Sequence, residues 1–408
     1  MKDLKHMIFF ESLLEDCNNE LVRKAKSEGR HPLGYTCFHV PEVLLNLDNC
    51  FSVRLRAPHT GSTEIATYYM ANSACEFSRA ILERAIEGNY KFLDAILGVD
   101  VCEAMNRCME NIEILNLVGE DNPKYFRCNL DVPYSDDEDC VEHYKEQLTR
   151  KVLKPLNGNY GVDISDRAIR RAVKKYNEMC EIIQEIGEMR TAMNPVITGS
   201  EFHKIVLATF ACPKDEILPY LRETLEELKT REPDKKSKYK ARVVVVGSEI
   251  DQPELIELIE DSGALVVADR FCFGSIPGRN PIILSDDEDA LTQIIRQNLK
   301  ETECPRHCAF HKIEYRRKHV QELVKKYHAD GAIYEQMKFC TYWSFERTLL
   351  QHIMPTEYGV NVLGIDRPYN CAGSGQLRTR VQAFVESLEI KRIKAKRALK
   401  ESEAKKDD

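Results

Sequence analysis

Apolar strands that alternate with helices constrain the fold of this 408-residue chain more than any other sequence feature. The pattern is plainest in the second half, where a buried strand is predicted at 242–246 and the next one at 264–268, with a helix between them. Further strands are predicted at 332–337 and 361–365, and further helices at 290–300, 313–327 and 376–388. This alternation predicts a parallel sheet covered by helices.

The first half of the chain has a similar pattern and then becomes helical. Strands are predicted at 34–37, 92–99 and 112–118, and helices at 8–28, at 74–87, and from Pro41 and Glu103 onward. Helices without strands are predicted at 163–188, 201–209 and 215–231. A charged run at 231–238 contains proline and lacks apolar residues, which is typical of a linker.

Together these patterns predict an α/β protein with two doubly wound, parallel-sheet domains of the Rossmann or flavodoxin type. The predicted divisions are an N-terminal α/β domain at 1–160, a helical segment and linker at 161–232, a C-terminal α/β domain at 233–390 and a charged tail at 391–408. Gly247 follows a predicted strand but lacks the other glycines of a dinucleotide fingerprint, so we expect no NAD site.

Charge and hydropathy argue against two classes of partner. The formal net charge is −8, and only the tail is strongly basic, which argues against a nucleic-acid partner. Apolar runs are far shorter than a membrane span, and the first residues lack the apolar core of a signal peptide. We therefore expect a cytoplasmic protein that does not enter the membrane.

Fifteen cysteines are many for a chain of this size in a reducing compartment. Excess cysteine there indicates metal binding, catalysis or buried apolar packing. The most compact pair is Cys304-Pro-Arg-His-Cys308, so a zinc ribbon or a bacterial ferredoxin module is not expected. Any metal site must therefore be assembled from distant segments of the chain.

Four cysteines, Cys37, Cys102, Cys272 and Cys340, follow predicted strands, and Cys75 lies near the start of a helix. Ligands gather at the carboxyl ends of parallel strands, and helix N-termini favour the thiolate that iron binds. A shared metal site and buried structural cysteines both remain open on this pattern. Other cysteines are interpreted as apolar packing or spectators, namely Cys17, Cys108, Cys128, Cys140, Cys180 and Cys212, while Cys50 and Cys371 stay undecided.

Several motifs carry a family resemblance. Residues 75–79 read Cys-Glu-Phe-Ser-Arg, residues 88–96 read Gly-Asn-Tyr-Lys-Phe-Leu-Asp-Ala-Ile, and Asp-Val-Cys ends at Cys102. The segments 34–42, 330–340 and 375–386 add a Val-Pro-Glu signature, a strand ending in Lys-Phe-Cys and a C-terminal helix. In order and over nearly the whole chain, these motifs resemble the iron–sulfur subunits of the 2-hydroxyacyl-CoA dehydratase and benzoyl-CoA reductase family.

The resemblance implies a ligand set and a chemistry. Cys75, Cys102 and Cys340 take the places of the three ligands of a [4Fe–4S] cluster with one open iron. The family implies an oxygen-sensitive enzyme that receives a low-potential electron from a separate ATP-hydrolysing iron–sulfur activator. The electron passes to an acyl-CoA, either as an (R)-2-hydroxyacyl-CoA dehydratase (a lyase using a ketyl radical) or as a benzoyl-CoA reductase-like oxidoreductase. A related second subunit is the implied partner.

Cys37 departs from the serines that dehydratases of this family often carry before Val-Pro-Glu. A cysteine there resembles the double-cubane branch, whose members hold an [8Fe–9S] group with six cysteines and act as homodimeric ATP-dependent reductases of small molecules. The additional ligands here would be Cys37, Cys272 and either Cys308 or Cys304. One cubane and two cubanes both remain open, and so does a metal-free α/β binding or scaffold protein.

A few polar residues are weaker candidates for the site. His39 and His59 are candidate proton donors, although a histidine bonded to the backbone is the simpler interpretation. Arg378 and Arg380 lie early in the last predicted helix and can either face the phosphates of CoA or pair with carboxylates.

Overall fold

The structure, a computed structural model, describes residues 1–235, 237–275, 279–370 and 374–404. Cys371 and the end of the charged tail lie outside the described residues. The described part contains eight strands, which are β1 (His31–Tyr35), β2 (Cys50–Arg54), β3 (Ala95–Val99), β4 (Phe126–Leu130), β5 (Ala241–Gly247), β6 (Ala264–Phe271), β7 (Gly331–Met337) and β8 (Val362–Arg367). They form two four-stranded sheets.

Fourteen α-helices surround the sheets in the described part of the chain. They are α1 (Met7–Leu14), α2 (Glu20–Ser27), α3 (Glu76–Ile86), α4 (Glu103–Ile114), α5 (Glu138–Leu148), α6 (Lys154–Tyr160), α7 (Asp166–Glu188), α8 (Gly199–Ala211), α9 (Lys214–Thr230), α10 (Glu254–Asp261), α11 (Ala290–Lys300), α12 (Phe310–Lys326), α13 (Thr341–Glu357) and α14 (Gly375–Ala404). None of these described helices is both long and apolar enough to cross a bilayer.

Both sheets are parallel throughout and share one strand order. The first sheet runs β2-β1-β3-β4 and the second β6-β5-β7-β8. In each sheet the chain first adds a strand on one side of the starting strand and then continues on the other side. This reversal creates a crevice at the carboxyl ends of the two central strands, where ligands bind in doubly wound folds. The predicted α/β class with two parallel-sheet units is confirmed.

The second sheet is covered on both faces, as the alternation predicted. Val243 and Val245 of β5 pack with apolar residues of α10 and α14. Val244 and Val246, which point to the opposite face, pack with residues of α12 and α13. Because successive side chains of a strand alternate between faces, an unbroken valine run is what a strand buried on both sides requires.

The first half departs from the sequence prediction in several places. The predicted strand at 112–118 is wrong, since α4 continues through Ile114 and buries Met105, Cys108, Met109 and Ile112 at helical spacing. The edge strands β2 and β4 were missed. The predicted helix at 8–28 is two helices, because the Asn19 side chain accepts hydrogen bonds from the first amides of α2 and starts a new helix there. The helix expected from Pro41 is a short 3₁₀ turn, Glu42–Leu45.

The helices α7, α8 and α9 share one hydrophobic core with the first sheet. The same core includes Ile294, Ile295 and Leu299 of α11, which the sequence assigned to the C-terminal domain. The helical segment thus packs with the first sheet. The domain bounds at 161–232 and 233–390 stay a prediction.

Candidate functional site

The carboxyl ends of both sheets face one cavity that six cysteines line. Its volume, counted to its open mouth, is about 660 Å³. Most of its other walls are apolar side chains, including Phe77, Met105 and Trp343. The six cysteines come from six separate segments of the chain and are Cys37, Cys75, Cys102, Cys272, Cys304 and Cys340. Sequence reasoning singled out four of these six positions from strand ends and Cys75 from the start of a helix, and it left Cys304 as an alternative to Cys308.

Three of the cysteines, which we call the first set, begin helices. Cys75 is the N-cap of α3, Cys102 the N-cap of α4 and Cys340 the N-cap of α13. The position of Cys340 depends on a tight turn after β7, in which its amide donates to the Met337 carbonyl at 2.9 Å and Phe339 adopts a positive φ of 66°. Such a φ is unfavourable for a bulky residue, so the surrounding structure must hold the turn.

Two hydrogen bonds of Glu76 join the two halves of the chain beside the first set. The amide of Glu76 donates to the carbonyl of Lys338 at 3.3 Å, which links the start of α3 to the turn before Cys340. The carboxylate of Glu76 also accepts a hydrogen bond of 2.7 Å from the amide of Tyr369, just after β8. These bonds cross from the first half of the chain to the second, so Cys75 and Cys340 meet only in the complete fold.

Two thiols of the first set are joined by a hydrogen bond, and the third lies near them. Cys75 and Cys340 hydrogen-bond to each other, which lowers the pKa of Cys75 and raises that of Cys340 well above its usual value. Burial raises the pKa of Cys102 to about 12. Amides of the first helical turns, including those of Met105, Ser78 and Trp343, act in the opposite direction and favour the thiolates.

The other three cysteines, the second set, lie in loops. Cys37 follows β1, Cys272 follows β6 directly, and Cys304 lies between α11 and α12. Burial raises the pKa of Cys37 to about 12 and raises those of Cys272 and Cys304 as well. Each of the three thiols lies close to at least one of the others, so a thiolate at one position raises the pKa of its neighbour. An uncompensated thiolate is therefore unfavourable here unless a cation or metal group offsets it.

Arg54, at the end of β2, supplies part of that compensation. Its side chain is fully buried, donates a hydrogen bond to the carbonyl of Cys272 and lies 3.8 Å from the ring centre of Phe273. The positive charge opposes the effect of burial on the pKa of both Cys37 and Cys272. Sequence reasoning missed Arg54, because the strand that carries it was not predicted.

Glu249 is an acid on the cavity wall that sequence reasoning also missed. It follows β5 and faces Cys272, with which it forms a hydrogen bond, and its Oε2 lies 3.5 Å from Nη2 of Arg54. Burial raises its pKa to about 7, and Arg54 limits that rise. Its position directly after a buried strand was the signal available in the sequence, the same one that identified the cysteines.

Cys304 and Cys308 have different surroundings. Cys304 lines the cavity, whereas Cys308, the residue first named for the second set, is exposed at the surface. Cys108 is buried in the core and is not one of the lining residues described for the cavity. The described residues contain no cluster of ligands spaced for a single metal ion. The thiolates of a cubane bind different irons, so they are spaced more widely than the ligands of one ion.

The weaker candidates lie outside the cavity. His39 is fully buried and stacks on Phe38 with 4.5 Å between ring centres, although it does not line the cavity itself. His59 lies in a separate groove and bonds to Glu15 at 2.7 Å. Arg380 donates to the carbonyl of Gly364 at 2.7 Å.

Arg378, the remaining weak candidate, is partly exposed and lies 3.8 Å from a carboxylate oxygen of Asp261. The structure therefore brings the cysteines together and leaves these histidines and arginines apart from the cavity.

Comparisons with known proteins identify relatives over most of the chain. The sequence model described as "2-hydroxyglutaryl-CoA dehydratase, D-component" matches residues 37–388. The chain is 22% identical over 389 residues to the (R)-phenyllactyl-CoA dehydratase beta subunit of Clostridium sporogenes, covering 93% of this chain and 97% of that protein. It is 23% identical over 385 residues to a subunit of the benzoyl-CoA reductase of Thauera aromatica, with 93% and 97% covered.

A third relative is the beta subunit of (R)-2-hydroxyglutaryl-CoA dehydratase from Acidaminococcus fermentans, 22% identical over 373 residues, with 90% of this chain and 95% of that protein covered. The match to the family model spans most of the chain and includes all six cysteines of the cavity. The chain therefore belongs to the family of the 2-hydroxyglutaryl-CoA dehydratase D-component, whose curated relatives are dehydratase and benzoyl-CoA reductase subunits.

Proposed function

We propose that this chain is an iron–sulfur redox enzyme whose six-cysteine cavity holds a double-cubane group. The observation that carries the proposal is the convergence of six cysteines from six segments on one apolar cavity at the switch points of both sheets. Thiolate sulfur is the ligand that iron–sulfur clusters require. The donor set therefore fits such a group in number and in chemistry.

The two sets would have separate roles. Cys75, Cys102 and Cys340 would hold one cubane, and Cys37, Cys272 and Cys304 the other. Cys304 replaces Cys308 in this assignment because it lines the cavity while Cys308 is exposed. When bound, such clusters supply single electrons at low potential. The six-cysteine arrangement favours the double-cubane branch over subunits with one cubane.

The residues of the chain would prepare the cavity for this chemistry. The helix starts at the first set favour thiolates through their amides, and Arg54 offsets negative charge at the second set. Phe77, Met105 and Trp343 limit the access of water to the thiols. A dry and charge-balanced pocket stabilises bound clusters and keeps competing proton chemistry away.

The proposed partners follow from the same branch. A second copy of the chain would form a homodimer, and a separate ATP-dependent iron–sulfur activator would supply the electrons. The substrate would be a small reducible molecule, the class on which reductases of that branch act. We further propose a cytoplasmic location, where a reducing environment keeps buried thiols available for iron.

A second candidate is the iron–sulfur subunit of a 2-hydroxyacyl-CoA dehydratase or a benzoyl-CoA reductase with one cubane on the first set. The similarity to a dehydratase beta subunit and to a benzoyl-CoA reductase subunit over 93% of the chain favours it. In that case the substrate would be an acyl-CoA and the partner a related second subunit. A metal-free scaffold is less favoured, because it gives no reason for six thiols from distant segments to converge on one cavity.

Anaerobic purification followed by iron and acid-labile sulfide analysis tests these assignments. About eight irons per chain supports the double cubane, about four supports the single-cubane candidate, and none contradicts both. Cys37→Ala provides the internal check. It should halve the iron of an eight-iron protein and leave a four-iron protein unchanged. An eight-iron protein that keeps all its iron in Cys37→Ala would contradict the proposed second set.

A further inference from the structure

Thr36 places a hydroxyl without a partner at the wall of the six-cysteine cavity. The residue follows β1 directly, precedes Cys37 and lines the cavity. It is 3% exposed, and none of the described residues forms a hydrogen bond with its Oγ1. Its amide donates to the carbonyl of Leu97 at 3.2 Å and so extends the pairing of β1 with β3. The unpartnered hydroxyl therefore belongs to a part of the wall whose backbone is fixed.

Two other hydroxyls of the same wall have partners. Ser78 donates to the carbonyl of Cys75 at 2.9 Å, and Ser248 donates to a carboxylate oxygen of Glu335 at 2.9 Å. A hydroxyl hydrogen rotates to reach whatever acceptor lies near it, and a buried hydroxyl that finds none is unfavourable. Such groups are rare unless a ligand or ordered water completes them. Thr36 thus lacks the kind of acceptor that both serines have.

An occupant of the cavity can supply this acceptor. Most of the other residues that line the cavity are apolar side chains or cysteines. Glu249, the carboxylate among the described lining residues, pairs with Arg54 and forms no hydrogen bond with the Thr36 hydroxyl. The sulfurs of a bound iron–sulfur cluster carry negative charge and accept hydrogen bonds. Because Thr36 adjoins Cys37, the cluster on the second set is the acceptor that its position favours.

We infer that the Thr36 hydroxyl donates a hydrogen bond to a sulfur of the cluster held by the second set and raises the reduction potential of that cluster. This inference deepens the proposed function and rests on it. Uptake of one electron adds one negative charge to the cluster, so an O–H donor at a sulfur stabilises the reduced state more than the oxidised state. The hydroxyl keeps its proton in both states.

Two substitutions at this position form a matched pair. Thr36→Val removes the hydroxyl and keeps the branched shape of the side chain, whereas Thr36→Ser keeps the hydroxyl. The full-length proteins are purified anaerobically and titrated with a titanium(III) chelate, which supplies the electron, and the reduced clusters are followed by electron paramagnetic resonance. In Thr36→Val the midpoint potential of one cluster should shift to a more negative value. In Thr36→Ser it should stay close to that of the wild type.

Two further measurements distinguish a bond to the cluster from a role in packing. After exchange into D₂O, pulsed electron paramagnetic resonance should detect a deuteron coupled to the cluster in the wild type and in Thr36→Ser, and this coupling should be absent from Thr36→Val. Without iron, Thr36→Val should unfold at the same temperature as the wild type or at a higher one, because valine removes an unpartnered hydroxyl. A lower unfolding temperature of iron-free Thr36→Val would mean that the hydroxyl has a partner in the protein, and it would overturn the inference.

The iron content of the wild type separates this inference from the proposed function. Wild-type protein without iron, or with iron at the first set alone, contradicts the proposed double cubane and the inference with it. With about eight irons bound, unchanged potentials and an unchanged deuteron signal in Thr36→Val overturn the role of Thr36 alone. Should Thr36→Val lose its iron, Thr36→Ala decides, because its smaller side chain cannot clash with a cluster. A negative shift in Thr36→Ala supports the inference, and an unchanged potential overturns it.

Discussion

The two cysteine sets of the cavity differ in what stabilises negative charge around them. Cys75, Cys102 and Cys340 each begin a helix, so backbone amides of the first turn face their sulfurs. The second set lies in loops, where side chains such as Arg54 provide the positive charge. At the first set the groups that oppose burial are backbone amides, whereas at the second set side-chain charge acts together with the amides of His39 and Arg306.

This difference determines how strongly single substitutions around each set should affect its iron binding. The field of a helix terminus belongs to the backbone, and no single substitution outside the cysteine removes it. Arginine side chains can be replaced one at a time, and each replacement leaves the chain path intact. We therefore expect the first set to be the constant part of the site and the second to be the part whose iron occupancy and potential respond to mutation.

The largest effect is expected at the first set, for Cys340→Ser. A serine hydroxyl is a poor ligand for iron–sulfur clusters, and Cys340 also holds the hydrogen bond with Cys75. Iron bound at the first set should be lost and reductase activity should fall to the level of a sample without enzyme. Colorimetric iron analysis and an anaerobic activity assay measure this. Full activity in Cys340→Ser would show that the first set does not hold a cluster that the reaction needs.

The next effect tests the second set with a matched pair of variants. Cys304→Ser should lose about half of the bound iron, because one cubane loses a ligand. Cys308→Ser should keep all of it, since that thiol is exposed and lies outside the cavity. Iron analysis of the two proteins side by side decides between the residues. Loss of iron in Cys308→Ser alone would reverse the assignment made from the cavity.

A smaller and more selective effect is expected for Arg54→Gln. The change leaves Glu249 without the guanidinium 3.5 Å away and removes the bond to the carbonyl of Cys272. Breaking such a buried pair should lower the free energy of unfolding by about 3 kcal/mol. It should also weaken iron binding at the second set and spare the first.

Thermal unfolding of the iron-free protein and iron analysis measure these two parts of the Arg54→Gln effect. Arg296→Gln serves as the surface control and should cost less than about 1 kcal/mol. Equal loss of iron from both sets would contradict the view that helix N-termini stabilise the first set and that Arg54 stabilises the second.

The smallest effect is expected for Cys108→Ala. Cys108 is fully buried in α4, beyond Cys102 on the same helix, and packs in the apolar core. Removing its sulfur should cost about 1 kcal/mol of stability through a small cavity and leave iron content unchanged. Chemical denaturation and iron analysis check both parts. A drop in iron content would make Cys108 part of the site.

Sequence patterns predicted the fold best for elements with a clear pattern of burial. The valine run of β5 is buried on both faces, and the helix expected at 290–300 has those bounds in α11. Prediction failed at 112–118, where a helical face rich in apolar residues was interpreted as a strand, and at the edge strand β2. Short apolar runs carry too little periodicity to separate these cases.

For the site, four strand ends and one helix start were enough to indicate five of the cavity's cysteines but not its other groups. Cys304 follows a helix, so no strand end marks it, and only the fold distinguishes it from Cys308. Arg54 and Glu249 meet across a distance of 195 residues in sequence, and their pairing depends on how the two sheets face each other. Charge compensation of this kind is a property of the assembled cavity.

We propose that both cysteine sets bind iron in one chain. A crystal of the anaerobically purified protein, with diffraction collected at the iron absorption edge, tests it most directly. We expect two groups of anomalous peaks, one contacting Cys75, Cys102 and Cys340 and the other contacting Cys37, Cys272 and Cys304. Peaks at the first set alone, or at neither, would contradict it.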